Sequence, residues 1–249
     1  MNELGSLTSP ELGALAARSP SCVLLPVGSV EPHGPHLPLT TDTIISHTAA
    51  TRALGALQAR GIAAVVAPPV HYGVTDFAAG FPGAVGVPAA ALTAFLKAVI
   101  EAYLASGFDH VCVVNNHLEP AHDAAVRDAV KDAPRASVAC PLTRRWGRLL
   151  SGEFKKGQCH AGTYETSLVM ASGADVRAKY KDLAEVPVSL SDGIRAGQHT
   201  FREMGMNDAY AGAPAAASAA HGDEQYAHLV EMVVTEVVEG LARSGHGNF

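Results

Sequence analysis

The chain lacks any apolar run near the ~18 residues that a membrane-spanning helix needs. It also lacks a block of Lys and Arg, and it carries one Trp and 6% aromatic residues. The first absence argues against a bilayer span. The second, with 18 Lys+Arg against 24 Asp+Glu and a net charge of −6, argues against nucleic acid as the main partner. The opening residues show no basic-then-apolar secretion pattern, so the expected location is cytoplasmic. None of Cys22, Cys112, Cys140 and Cys159 forms a C-x-x-C pair, which argues against a cysteine zinc knuckle or a thioredoxin-type site. The first three sit in apolar runs and read as small buried hydrophobes. Cys159 precedes a histidine, but a nucleophilic role would need an activated thiolate. Hydrophobic residues make up 48% of the chain and charged residues 17%. So apolar a chain can offset the entropy of ordering itself, which excludes disorder.

What is present is an alternation of short apolar runs and helical stretches. Residues 22–27, 62–68, 110–114 and 136–140 read as strands. Residues 43–60, 88–106 and 120–132 read as helices. Pro88 suits a first helical turn, where its missing amide costs nothing, and Gly107 suits the end of that helix. Strands alternating with helices of this length imply βαβ units. Continuous apolar runs, rather than alternating ones, imply a parallel sheet covered on both faces. Residues 141–162 lack periodicity and read as an excursion near a site. Residues 209–220, broken by Gly212 and Pro214, read as a loop before a final helix over 221–243. That helix carries an apolar stripe at Leu229, Val233, Val237 and Leu241, and the tail 244–249 reads as frayed. No linker or repeat divides the chain, so one domain over 1–249 is expected.

Twelve histidines are the unusual item. Gly28–Pro38 (GSVEPHGPHLP) follows the first strand directly, and Asn115–Glu119 (NNHLE) follows the third. In an open parallel sheet, ligands bind outside the carboxyl ends of the strands. Glu31, His33, His117 and Glu119 are therefore expected on one edge, and histidine with carboxylate is a ligand set for Zn, Mn or Fe. Asp42, just before the second helical run, reads either as a ligand or as a helix cap; these roles compete for its oxygens. Glu119 reads as a ligand or as a carboxylate complementing a helix N-terminus. His36 reads as a residue that orients its loop by a hydrogen bond, and Asn115 and Asn116 as residues that hold theirs. His71 sits in the loop after the second strand.

The run from Pro26 to Asp42 resembles the signature of the creatininase (creatinine amidohydrolase) family. Phe81-Pro82-Gly83, the Asn115–Glu119 loop, His160-Ala-Gly-Thr-Tyr-Glu165 and Gly212-Ala213-Pro214 follow in that family's order. The resemblance covers roughly residues 20–240. It implies a three-layer α/β/α sandwich with a mainly parallel sheet, two divalent ions (Zn and/or Mn, with Fe as a further option) and hydrolysis of small amide C–N bonds. It also implies a homo-oligomer, a hexamer in many members. By position, Glu31 and His117 would bind one metal and His33 and Glu119 the other, with Asp42 bridging. His160 would contact substrate and transfer a proton, with Glu119 as its catalytic companion. Glu165 would be a spare ligand or a supporting group. Thr75, Leu118 and Lys156 would face substrate.

Two departures bear on substrate. Leu118 stands where creatininase proper has an aromatic residue, and Lys156 and Gly157 replace a Trp-Asp pair. A flat creatinine ring would lose a stacking partner, and Lys155 and Lys156 would add positive charge near the site. The expected substrate is therefore a small cyclic or acyclic amide other than creatinine, one that can bear a carboxylate. Creatininase proper, a deformylase or peptidase of the same superfamily, and a non-catalytic binding protein remain the alternatives. Relatives of the deformylase and peptidase type carry Asn-Gly-His-Gly-Gly in the third-strand loop, and Leu118-Glu119 departs from that pattern.

Overall fold

The computed structural model describes residues 3–246. Within them β1 (Ser21–Val27), β2 (Ala63–Val66), β3 (His110–Asn115) and β4 (Ala136–Ala139) form one all-parallel sheet in the order β2-β1-β3-β4. Nine α-helices accompany them: α1 (Ser9–Ala16), α2 (Thr41–Gln58), α3 (Ala89–Ala105), α4 (Pro120–Val130), α5 (Arg144–Gly147), α6 (Gly152–Lys155), α7 (Thr163–Ser172), α8 (Leu190–Arg195) and α9 (Ala219–Arg243). β2 ends at Val66, short of the expected Pro68, because neither Pro68 nor Pro69 can donate to a ladder.

Alternation along each strand divides the core into two layers. Cys22, Leu24, Cys112 and Val114 point to the side covered by α2, α7 and α9. Val23, Leu25, Val27, Val111 and Val113 point to the side covered by α1, α3 and α4. Every residue of β1 and β3 is buried, which is why both read as unbroken apolar runs. Each fully buried Leu or Val contributes about 1.5–3 kcal/mol relative to exposure. The expected stripe on α9 packs inward, with Leu229, Val233, Val237 and Leu241 all buried. α9 begins two residues earlier than expected because the Ser218 hydroxyl accepts the His221 amide and caps it. The loop before it holds only a short 3-10 turn, Pro214–Ala216, and the 141–162 excursion contains α5 and α6. Residues 247–249 of the expected frayed tail lie outside the described residues. Among the described residues, no helix is long and apolar enough to cross a membrane.

One topological feature positions the site. β1 leads into α2 on one side of the sheet, and its neighbour β3 leads into α4 on the other. The chain therefore diverges at the carboxyl ends of two adjacent strands, leaving a crevice there. The two histidine motifs emerge at that point.

Candidate active site

The loop after β1 is pinned close to α2. Gly28 touches the start of that helix, where an added Cβ would lie 2.6 Å from the Thr43 amide nitrogen and 2.8 Å from Asp42 Cβ. Glu31 N donates to Leu39 O at 3.0 Å, and Gly34 N donates to Ala209 O at 2.8 Å. α2 starts at Thr41, so Asp42 lies inside its first turn and Thr40 takes the cap position. That leaves the Asp42 carboxylate free of a capping role. The loop after β3 is held by Asn115: its Oδ1 accepts from the His117 amide at 3.0 Å, and its Nδ2 donates to His117 O at 3.1 Å. Asn116 donates to the Ser46 hydroxyl at 3.2 Å through its side chain. Asn115 thus holds its loop backbone, as the sequence reading expects, while the Asn116 side chain ties the loop to the Ser46 hydroxyl of α2. His36 shares a 2.9 Å hydrogen bond with Thr166 Oγ1.

Three histidines converge, and each commits one ring nitrogen to a backbone carbonyl. His117 Nε2 donates to Val74 O at 2.6 Å, His33 Nδ1 to Glu31 O at 3.1 Å, and His160 Nε2 to Pro32 O at 3.1 Å. These bonds leave the opposite nitrogens facing carboxylates. His117 Nδ1 lies 3.0 Å from Asp42 Oδ2 and 3.4 Å from Glu31 Oε1. His33 Nε2 lies 3.2 Å from Asp42 Oδ1, 3.6 Å from Glu165 Oε2 and 3.8 Å from Glu31 Oε1. His160 Nδ1 lies 3.8 Å from Glu31 Oε1. All six residues are buried, and neither Lys nor Arg pairs with Glu31, Asp42 or Glu165 among the described residues.

The electrostatics record this crowding. Burial, then the Asp42 and Glu31 charges, push Glu165 up to about 8, although His33 draws it down. Burial disfavours the charged form of Asp42, yet His117 and His33 hold it well below the usual carboxylate range. Burial likewise opposes protonation of His33, but Asp42, Glu165 and Glu31 outweigh it and raise the imidazole to about 10. Burial and the neighbouring His33 lower His160 to about 4.

The donor set fits divalent cations. Glu31 Oε2 and Asp42 Oδ2 are buried without a hydrogen-bond partner. The imidazole nitrogens and the carboxylate oxygens they face need a positive charge between them, supplied by a proton on the raised His33 and His117 rings or by a cation in its place. A backbone carbonyl that orients a histidine from behind is the usual support of a metal ligand. Three overlapping groups present ligand atoms mutually within 4.8 Å: Glu31 with Asp42 and His117, His33 with Asp42 and Glu165, and Glu31 with His33 and His160. Asp42 turns one oxygen toward His33 and the other toward His117.

The other candidate residues fall differently. Glu165 stands beside His33, in the position expected of Glu119. The Glu119 carboxylate instead accepts the Asp76 and Phe77 amides at 3.0 and 3.2 Å. It lines the cavity, and burial raises it to about 7 against the pull of His117 and those two amides. Leu118 also lines the cavity. Thr75 does not; its hydroxyl contacts that of Ser29. Lys156 is exposed and outside the lining, so the expected positive charge does not enter the cavity. His71 lies in a separate groove with Pro68, Tyr72 and Phe95.

Sequence reasoning missed the cavity's outer wall. Leu190 and Ile194 of α8, together with Phe77 and Phe201, close it beside Leu118 and Pro120. The Phe201 ring packs 4.3 Å from that of His160. These residues lie in loops or a six-residue helix, where no hydrophobic period marks a role. His122 was also missed. Its Nδ1 accepts the Val74 amide at 3.3 Å and its Nε2 donates to Asn115 Oδ1 at 3.2 Å, so it ties the two loops flanking His117.

Comparison with known proteins identifies the family and the fold. The family model described as creatinine amidohydrolase matches residues 5–238. A Mycolicibacterium smegmatis protein named mycofactocin precursor peptide peptidase is 35% identical over 242 residues, spanning 91% of this chain and 87% of its own length. Two solved creatininases share the fold. One, with a tryptophan replaced by phenylalanine, has a TM-score of 0.75 at 18% identity, covering 96% of this chain and 98% of its own. The other, titled Creatininase Mn, has a TM-score of 0.70 at 20% identity with the same coverage.

Proposed function

This chain belongs to the creatininase family of hydrolases, and from that premise we propose that it is a dinuclear metal-dependent hydrolase cleaving the amide bond of a short peptide-like substrate. The observation that carries the reading is the common arrangement of His33, His117 and His160: one nitrogen on a backbone carbonyl, the other turned to buried carboxylates. Glu31, Asp42 and His117 would hold one ion, and His33, Asp42 and Glu165 the other. Oxygen and imidazole donors suit Zn or Mn. Such ions lower the pKa of bound water to about 7 and polarise a carbonyl oxygen.

The protein's own groups do the rest. Glu119, held by two backbone amides, faces the cavity and carries a proton from the attacking water toward the departing nitrogen. His160, fixed between Pro32 O and the Phe201 ring, contacts the substrate carbonyl region. Apart from the charged cluster and Glu119, the lining is apolar: Phe77, Leu118, Pro120, Cys159, Leu190, Ile194 and Phe201. A substrate carboxylate or guanidine placed there would meet no neutralising or hydrogen-bonding side chain on that wall. An uncharged amide with an apolar flank fits, and so does the relative named as a peptide peptidase. This favours a peptide-like amide over creatinine, and over the carboxylate-bearing amide that Lys156 suggested.

The test combines elemental analysis of metal-replete protein with a substrate panel: short peptides with apolar or charged residues beside the scissile bond, lactams, hydantoins, formamides and creatinine. We expect two divalent ions per chain and amine release from the apolar peptides. Absence of retained metal would count against the enzyme reading, and creatinine as the best substrate would overturn the substrate assignment.

A further inference from the structure

Glu153, on the short helix α6, lies outside the ligand cluster and does not line the cavity. We propose that it is a positioning residue: it caps, from ten residues away, the helix that carries Glu165, and so sets the grip of the His33–Asp42–Glu165 half of the centre. The proposal rests on the metal reading above.

The N-cap residue of α7 is Gly162, which has no side chain to accept the helix's first amides. Glu153 accepts them instead. Its Oε1 takes the Thr163 amide at 3.0 Å and its Oε2 the Tyr164 amide at 2.7 Å. Oε1 also takes the Ala213 amide at 2.9 Å, from the Gly212-Ala213-Pro214 loop. One carboxylate thus satisfies three backbone donors from two distant segments. Its negative charge also suits a helix N-terminus.

The neighbouring glycines leave room for the same carboxylate. A Cβ on Gly162 would meet Ala211 O at 2.5 Å and Glu153 Oε1 at 2.7 Å, and one on Gly212, at φ 80°, would collide with Glu153 Oε1 and lie 2.6 Å from Gln158 O. Glu153 is in turn anchored to the core. The Ser151 hydroxyl accepts the Phe154 amide at 3.2 Å, and the Ser151 amide donates to Gln225 Oε1 of α9 at 2.9 Å.

From this hub the connections run directly to the site. Ala161, held at φ 51°, turns its amide onto Glu165 Oε2 at 2.7 Å. The Ala211 amide donates to His160 O at 2.8 Å, and Thr163 Oγ1 donates to Ala213 O at 2.6 Å. Loss of the Glu153 cap would loosen the first turn of α7, where Glu165 stands. Glu31 and His117 come from the loops after β1 and β3 and Asp42 from the first turn of α2, and these would be untouched.

The test uses Glu153→Gln, which keeps the size but turns an N–H toward backbone donors. Metal-free protein is titrated with Zn2+ against a chromophoric chelator. Wild type should take up two ions. The variant should hold one with unchanged affinity and the other at least roughly tenfold more weakly, the usual scale for loss of an outer support. Amide hydrogen exchange at Thr163, Tyr164 and Ala213 should accelerate at least tenfold. Equal weakening of both ions, unchanged affinities or unchanged exchange overturns the proposal. Wild type that takes up no ion sinks the metal reading and the ion half of this proposal, while the exchange rates still decide the cap. If Glu153→Gln does not fold, Glu153→Asp, one methylene short of the same donors, carries the same expectations. Glu165→Gln serves as the control: it should weaken the same ion without altering exchange at Thr163 and Tyr164.

Discussion

His117 Nδ1 and Asp42 Oδ2 stand 3.0 Å apart, while Nε2 of the same ring donates to Val74 O at 2.6 Å. Burial opposes a charge on this ring, yet Glu31 and Asp42 raise the His117 imidazole well above its ordinary value, so a proton on Nδ1 holds the pair together when no metal is bound. A divalent cation can take the place of that proton and answer both carboxylates at once.

Metal binding should therefore be visible in stability. At a free metal concentration about 100 times Kd, binding to the folded state alone adds about 2.7 kcal/mol. At about 2–4 °C per kcal/mol for a chain of this size, the metal-replete protein should melt roughly 5–10 °C above the chelated one. Superimposable calorimetric scans with and without chelator would argue against ions at this site.

Replacing Glu165 should separate its structural role from its metal-binding one. Burial pushes the Glu165 carboxyl up to about 8, so it is largely neutral at pH 7, and chelated Glu165→Gln should melt within about 1 kcal/mol of chelated wild type. With metal restored, wild type should melt higher, and amide hydrolysis by the variant should fall on the order of 100-fold or more. A variant that is less stable in both states would show that Glu165 is there for packing.

Phe201 closes the cavity over His160 and belongs to a small cluster with Ala78, Met204 and Met206. Phe201→Ala should destabilise the fold by about 3 kcal/mol, the lower end for a buried aromatic. It should also reduce kcat/KM for apolar peptides about tenfold or more, with a smaller effect on small uncharged amides. Urea titration and a two-substrate comparison check both halves. An equal loss on every substrate would place Phe201 in the scaffold only.

His110 gives a pH signature independent of the candidate site. It is buried in β3, with Nε2 bonded to Ser137 Oγ at 2.8 Å and Nδ1 unpartnered. Burial, then Arg243 and His246, lower it to about 3. The unfolded chain takes up this proton near pH 6.5, so stability is full above that pH and is lost as pH falls from 6.5 toward 3. The slope is at most about 1.4 kcal/mol per pH unit from this residue. His110→Asn should flatten the urea midpoint between pH 7.5 and 5, although His36 and His122, also lowered by burial, keep part of the slope. Identical midpoint shifts in variant and wild type would remove His110 as the source.

The reading of Asp42 and Glu119 shows where sequence reasoning stops. That Asp42 sits near the start of α2 is a local fact. Whether it caps the helix depends on a boundary two residues away, and α2 begins at Thr41. Glu119 and Glu165 are chemically identical and lie in equally plausible motifs. Only the backbone amides of Asp76 and Phe77, some forty residues from Glu119, show that its oxygens are held there. Lys156 fails for a similar reason: nearness in sequence to His160 does not turn its side chain inward.

The order of residues alone determined the parallel sheet and the shared edge where both histidine motifs emerge. Unbroken apolar runs require burial on both faces, and a strand's carboxyl end is set by chain direction. Tertiary packing alone decided which carboxylate stands beside His33, which apolar side chains wall the cavity, and that Glu153 reaches across to α7. Those outcomes depend on distances between segments far apart in the chain, which packing sets and local pattern does not encode.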